Sequence, residues 1–139
     1  MVVIDASDLI LGRLATVVAK RALLGESIDV INCEKAIITG NKKAILGRYQ
    51  QKREIGSPLK GPFFPRRPDM LVRRTIRGML PYKRGKGKDA FKRVKCHIGI
   101  PKGLENQKTE TIKNASISKL TTLKYIRVQD LSKSLGARI

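Results

Sequence analysis

Strand, helix and strand follow one another inside the first 33 residues, and this order restricts the fold more than any other feature of the chain. MVVIDAS opens with a short apolar run that reads as a buried strand ending near Asp5. A helix follows from Leu9, with Ser7 or Asp8 as its N-cap. Leu11, Leu14, Ala15, Val18 and Ala22 recur at helical spacing as its core stripe, with Arg13, Thr16 and Lys20 opposite. Gly25 supplies the C-terminal stop, and SIDVINC is a second strand rich in β-branched residues. Two strands joined by a helix run parallel through a right-handed crossover.

The rest of the chain continues the alternation. Ala36 to Thr39 adds a short extended piece. Gly40-Asn41 then caps a helix from about Lys42 to Arg53, with Ile45 and Tyr49 inward and Lys42, Lys43, Arg48, Lys52 and Arg53 outward. Glycine and proline fill Gly56 to Pro68, which reads as an irregular surface arm. Pro68 suits the first turn of the next helix, Asp69 its positive end, and Pro81 stops it. KRGKGK, from Lys83 to Lys88, reads as a glycine loop, and Asp89 to Arg93 as a helical turn. VKCHIGI, from Val94 to Ile100, is the third clear strand, followed by a polar loop, GLENQKTET, and an extended TLKYIRV. Asp130 caps a last short helix ending at Gly136. Alternating strands and helices predict a three-layer α/β domain, and no repeat or linker divides it. The reading is therefore one domain over 1–139, with a βαβ core at 1–40, a basic part at 41–102 and a C-terminal loop and helix at 103–139.

Charge follows the same division. The net charge is +19, of which 1–40 carries −1, 41–102 carries +16 and 103–139 carries +4. Between Lys60 and Lys102 lie fourteen of the thirty basic residues, two acids, and four of the six aromatics, Phe63, Phe64, Tyr82 and Phe91. So much like charge costs self-repulsion in the free protein, and a polyanion removes it: each neutralised phosphate releases a counterion, and flat side chains stack on bases or sugars. At helical spacing, Val72, Thr75, Ile76 and Met79 fall on one side, while Arg73, Arg74 and Arg77 fall nearly opposite. Arginine's planar fork takes a phosphate through two hydrogen bonds and keeps its charge. The segment reads as a nucleic-acid surface.

Other chemistries find less support. Cys33 and Cys96 are too few and too far apart for a disulfide framework or a CxxC metal site, and read as reduced core thiols. His97, the sole histidine, lies in an apolar strand and reads as structural. Neither phosphate-binding glycine motif occurs, and helix-turn-helix and RRM signatures are missing. Asp5 and Glu34 fall near the C-terminal ends of adjacent parallel strands, with Asp8 close by, so a Mg²⁺-dependent nuclease using Asp5 and Glu34 is the alternative to weigh. Capping by Asp8 and loop hydrogen bonding by the other two is the plainer account. No apolar run reaches membrane-spanning length and no signal-peptide pattern opens the chain, so a soluble, cytosolic protein is expected.

Two motifs carry a family resemblance: Leu11-Gly12-Arg13-Leu14-Ala15 and Arg77-Gly78-Met79-Leu80-Pro81. With their surroundings, over about residues 1 to 103 and more loosely in YIRVQDLSKSLGA, they resemble the universal large-subunit ribosomal protein L-thirteen family in its archaeal and eukaryotic branch. The resemblance implies a three-layer α/β/α fold around a four-stranded, mainly parallel sheet. It implies a non-catalytic constituent of the large subunit in the cytoplasmic ribosome, partnered by large-subunit rRNA and neighbouring ribosomal proteins. No cofactor, metal, membrane or small-molecule substrate is implied. The family's RNA-contacting arginine-glycine motif maps onto Arg77 and Gly78. The surrounding contacts expected are Lys60, Arg66, Arg67, Arg73, Arg74, Lys83, Arg84, Lys86, Lys88, Lys92 and Arg93.

Overall fold

The computed structural model describes residues 1–138. β1 (Val2–Asp5), α1 (Leu11–Leu23) and β2 (Ile28–Ile31) form the expected βαβ unit, with Val2 beside Ile28 and Asp5 beside Ile31 in parallel register. β3 (Ile37–Thr39) leads into α2 (Lys42–Glu54), where the Asn41 side chain accepts the Lys43 N–H at 3.0 Å. After the arm come α3 (Pro68–Gly78), α4 (Gly85–Lys92) and β4 (Val94–Cys96). β5 (Thr109–Glu110), β6 (Tyr125–Arg127) and α5 (Val128–Ser134) complete the order. The main sheet runs β4-β2-β1-β5 with every pairing parallel, while β3 and β6 form a separate antiparallel ribbon.

Alternation along the central strands divides the interior. Ile4, Ile28 and Val30 face the large core with Leu14, Val18, Val72 and Ile76, where α1 packs on α3 and α4. Val3 and Ile31 point the other way and meet Leu104 from a 3-10 turn at Lys102–Leu104. Each of these central aliphatics except Leu104 is almost fully buried, and burying one such side chain contributes about 1.5–3 kcal/mol.

Five local expectations are corrected. Neither Ser7 nor Asp8 caps α1: Ile10 holds the N-cap position without a side-chain bond. Ile10 is drawn into a bridge beside Ile37 and donates its N–H to the Ala115 carbonyl at 2.7 Å, which keeps the link extended until Leu11. KRGKGK is not a loop throughout, since α4 begins at Gly85. Gly87 lies where an added Cβ would meet the Pro81 carbonyl oxygen at 1.9 Å, so the glycine lets α4 close onto the end of the preceding turn. The polar loop contains β5, an edge strand whose two residues carry no apolar signal. Backbone pairing with β1 and an Arg21–Glu110 ion pair of 2.9 Å hold it. Asp130 sits in the first turn of α5, but the N-cap is Arg127. The third strand is also shorter than expected, ending at Cys96, before Gly99 turns the chain at φ +66°.

Candidate nucleic-acid interface

α3 is built as its sequence suggests, with Pro68 in the first turn, Asp69 near the positive end, and Leu71, Val72 and Ile76 buried. Thr75 is half-buried and returns its hydroxyl to the Leu71 carbonyl at 3.0 Å. Met79 does not continue the buried side: it follows the helix as its C-cap and remains 43% exposed, with Sδ 3.6 Å from the Thr16 hydroxyl.

The opposite side is where the structure adds most. Arg73, Arg74 and Arg77 are half-buried, and each guanidinium lies over an aromatic ring. Arg73 is 4.1 Å from the centre of Phe91, Arg77 is 4.7 Å from Tyr82, and Arg74 is 5.5 Å from Phe64. Arg73 Nε also donates to the Val94 carbonyl at 3.3 Å. A guanidinium on a ring face gains about 0.5–1 kcal/mol at an exposed site. Its in-plane N–H groups stay available for a phosphate. Burial lowers the Arg74 pKa, Arg77 lowers it further, and Tyr82 works in the other direction. Arginine nevertheless keeps its charge at neutral pH.

The arm continues this surface. Ser57 and Gly61 exchange two backbone hydrogen bonds, 3.1 and 2.9 Å, which close the tip around an exposed Leu59. Phe64 packs edge-on against Tyr49 of α2, with centroids 5.9 Å apart, and Lys52 lies over both rings at 5.1 and 5.6 Å. Lys60, Arg66 and Arg67 are exposed, and Arg67 meets Asp69 at 3.3 Å. Lys83, Arg84, Lys86, Lys88 and Lys92 are exposed on and before α4, with no ion-pair partner among the described residues. Gly78 is exposed, with open space where a side chain would stand.

Two arginines of the basic part also brace helix ends. Arg93 Nη1 donates to the Ala22 carbonyl at 3.0 Å, in the last turn of α1. Arg53, expected to face outward, is half-buried and donates to the Leu135 carbonyl at 2.6 Å, just past α5. Positive groups at helix C-termini satisfy free carbonyls and complement the dipole. Nothing in the local sequence marks Arg53 for this contact, because its partner lies 82 residues away.

The acidic alternative does not assemble. Asp5 Oδ1 accepts the Ser7 N–H at 2.9 Å and the Asn32 side-chain amide at 3.1 Å. Burial opposes ionisation of Asp5, but these bonds and nearby Lys35 outweigh it and hold the carboxyl below its ordinary pKa. Glu34 accepts the Gly99 N–H at 3.0 Å, and Asp8 pairs with Arg127 at 2.8 Å. Each carboxylate is thus committed to local structure, and among the described residues no three His, Cys, Asp or Glu side chains converge as a metal site would need. His97 Nε2 stands 4.0 Å from Asp29, too far for a hydrogen bond. Cys33 is buried and Cys96 half-buried, both as free thiols, and Cys96 together with burial pushes the Cys33 pKa well up. A thiol so placed is a packing group.

Fold and surface together define a small α/β protein with a parallel sheet and a dense cationic face suited to a polyanion. The chain belongs to the family described as Ribosomal protein L13, which matches residues 1–103. The large ribosomal subunit protein uL13 of Methanocaldococcus jannaschii is 53% identical over 142 residues, covering 99% of both chains. Its counterpart in Methanopyrus kandleri is 52% identical over 136 residues, covering 96% of this chain and 86% of that one. That of Methanosarcina barkeri is 48% identical over 139 residues, covering 99% of each. The similarity to these relatives therefore runs through the tail as well as the first 103 residues.

Proposed function

We propose that the protein is a structural, non-catalytic constituent of the large ribosomal subunit, binding and stabilising the large-subunit rRNA through its basic surface. The observation that carries this reading is the arginine side of α3: three guanidiniums, each backed by a ring, on a surface flanked by exposed lysines that have no carboxylate partner among the described residues. Backing a cation with a ring orients it at little entropic cost, and a row of such groups matches a phosphate backbone. The named relatives are large-subunit proteins, which supports the same placement in the cytoplasmic ribosome, beside rRNA and neighbouring subunit proteins. The contacts proposed are Arg77 and Gly78, the arm's Lys60, Arg66 and Arg67, Arg73 and Arg74, and the group from Lys83 through Arg93. Binding to large-subunit rRNA should weaken roughly 10³- to 10⁵-fold between about 50 and 200 mM salt if six to ten phosphates are neutralised. A flat salt response would remove the electrostatic basis of the proposal.

A further inference from the structure

Three of the four aromatic side chains between Lys60 and Lys102 are covered by the protein's own cations: Phe64 by Lys52 and Arg74, Tyr82 by Arg77, and Phe91 by Arg73. Phe63 differs. It is 72% exposed, and among the described residues neither a cation nor a second ring stacks on it. One exposed apolar side chain is ordinary on any protein, so its position has to decide whether it has a role.

Phe63 stands at a cleft of about 290 Å³ that it shares with Met70, Arg73, Arg74, Arg77 and Phe91. That volume falls just below the range of about 300–1,000 Å³ for ligand pockets. Gly61 turns at φ +81°, and a Cβ there would lie 3.1 Å from the Phe63 ring, so the chain doubles back beneath the ring at a residue that leaves it room. Arg73 is fixed by the Val94 carbonyl and the Phe91 face. Among the described residues, none that lines the cleft is a carboxylate.

A flat apolar wall, three guanidiniums and no acid call for a ligand with a planar face and anionic groups beside it. A nucleotide turned out of its stack has both, whereas a paired base keeps its faces covered by its neighbours. We infer that this cleft receives one unpaired nucleobase of the RNA, stacked on Phe63, with its flanking phosphates on Arg74 and Arg77. The inference rests on the rRNA-binding reading and gives it a specific ligand.

The test uses the full chain and full-length large-subunit rRNA, with Phe63→Ala, Phe63→Leu and Phe63→Tyr compared across a salt titration. All three should fold, because position 63 is exposed. Phe63→Ala should lower affinity about 5- to 150-fold, the range for one base stacked on an aromatic ring. Phe63→Tyr should restore it and Phe63→Leu should not, and all three should keep the wild-type salt slope because no charge is removed. Wild-type affinity in Phe63→Ala, or full rescue by leucine, overturns the inference. With benzoylphenylalanine in place of Phe63 in assembled subunits, crosslinking should map to a single unpaired nucleotide. Crosslinking to a neighbouring protein or to paired nucleotides would also overturn it. Wild-type protein that binds rRNA without salt dependence sinks instead the reading beneath.

Discussion

Arg73 lies across the face of Phe91, its guanidinium 4.1 Å from the ring centre, while its Nε reaches the Val94 carbonyl at 3.3 Å. One side chain thereby ties α3 to α4 and to the edge strand β4. Arg74 and Arg77, on the same side of the helix, rest on rings but make no such backbone bond among the described residues. The three arginines are alike in charge and unlike in what they hold together.

Replacing Arg73 with glutamine should therefore cost more stability than replacing either of the other two. Loss of one hydrogen bond and one cation–ring contact is worth about 1–2 kcal/mol together, which lowers the melting temperature by a few degrees. Arg74→Gln and Arg77→Gln each lose only a ring contact and should cost about 0.5–1 kcal/mol. Thermal melts of the three single mutants separate the cases. Equal melting temperatures in all three would show that Arg73 is no strut.

The buried side of the same helix gives the opposite signature. Ile76 is fully buried among α1 and the central strands. Ile76→Ala should cost about 2–5 kcal/mol by leaving a cavity. Its folded fraction should bind rRNA with the wild-type salt slope, as read by melting and by binding at several salt concentrations. A changed slope would mean that the helix surface, and not the core alone, had moved.

Gly87 tests the entry to α4. Gly87→Ala brings a Cβ into the Pro81 carbonyl at 1.9 Å, which requires the backbone to shift. Overpacking of this kind costs about 1–3 kcal/mol or more. Gly85→Ala, two residues earlier, meets nothing within 4 Å and should leave stability unchanged or slightly raised. Chemical denaturation of the pair gives the comparison, and equal stability would contradict the packing role assigned to Gly87.

How far the sequence reaches depends on whether the forces at a position are local. Ile4, Leu14, Val18, Ile28 and Val30 announce the βαβ unit because burial repeats along each element at its own period. Asn41 announces α2 because a cap acts over two residues. β5 gives no such sign: Thr109 and Glu110 are both exposed, and their strand exists through pairing to a partner more than a hundred residues away. KRGKGK reads as a loop because glycine serves turns as readily as close packing, and only the Pro81 carbonyl shows that Gly87 serves the second. At the candidate interface, charge and aromatic content were legible. The pairing of each arginine with one ring was not, since it depends on how the arm and α4 fold over α3.

Asp5 should add a pH dependence unrelated to RNA. Its folded pKa lies below the ordinary 3.8, so the ionised form is favoured by folding. The stability it contributes is fully present above about pH 4 and is lost as the pH falls through its lower native pKa. Asp5→Asn should flatten that part of the acid-denaturation profile and leave RNA binding near neutral pH unchanged. The double mutant Asp5→Asn with Glu34→Gln should also behave like wild type toward structured RNA with Mg²⁺, because neither protein should cleave it. Cleavage by the wild type that disappears in the double mutant would restore the nuclease alternative.

The lysines around the start of α4 offer the cleanest separation of charge from fold. Lys83, Lys86 and Lys88 are exposed and, among the described residues, have no ion-pair partner. Replacing all three with glutamine removes three positive charges from a surface that repels itself in the free protein. Stability should change by less than about 0.5 kcal/mol, in either direction. Binding should respond in a different way. Each lost phosphate contact shortens the slope of log affinity against log salt by roughly 0.7 to 0.9, so three contacts shorten it by roughly 2 to 3. Because phosphate contacts carry no base information, the loss should be similar for rRNA fragments of different sequence that share the site's shape. Salt titrations of the triple mutant on the large-subunit rRNA measure this directly. An unchanged slope with normal folding would place the start of α4 away from the RNA and confine the interface to α3 and the arm.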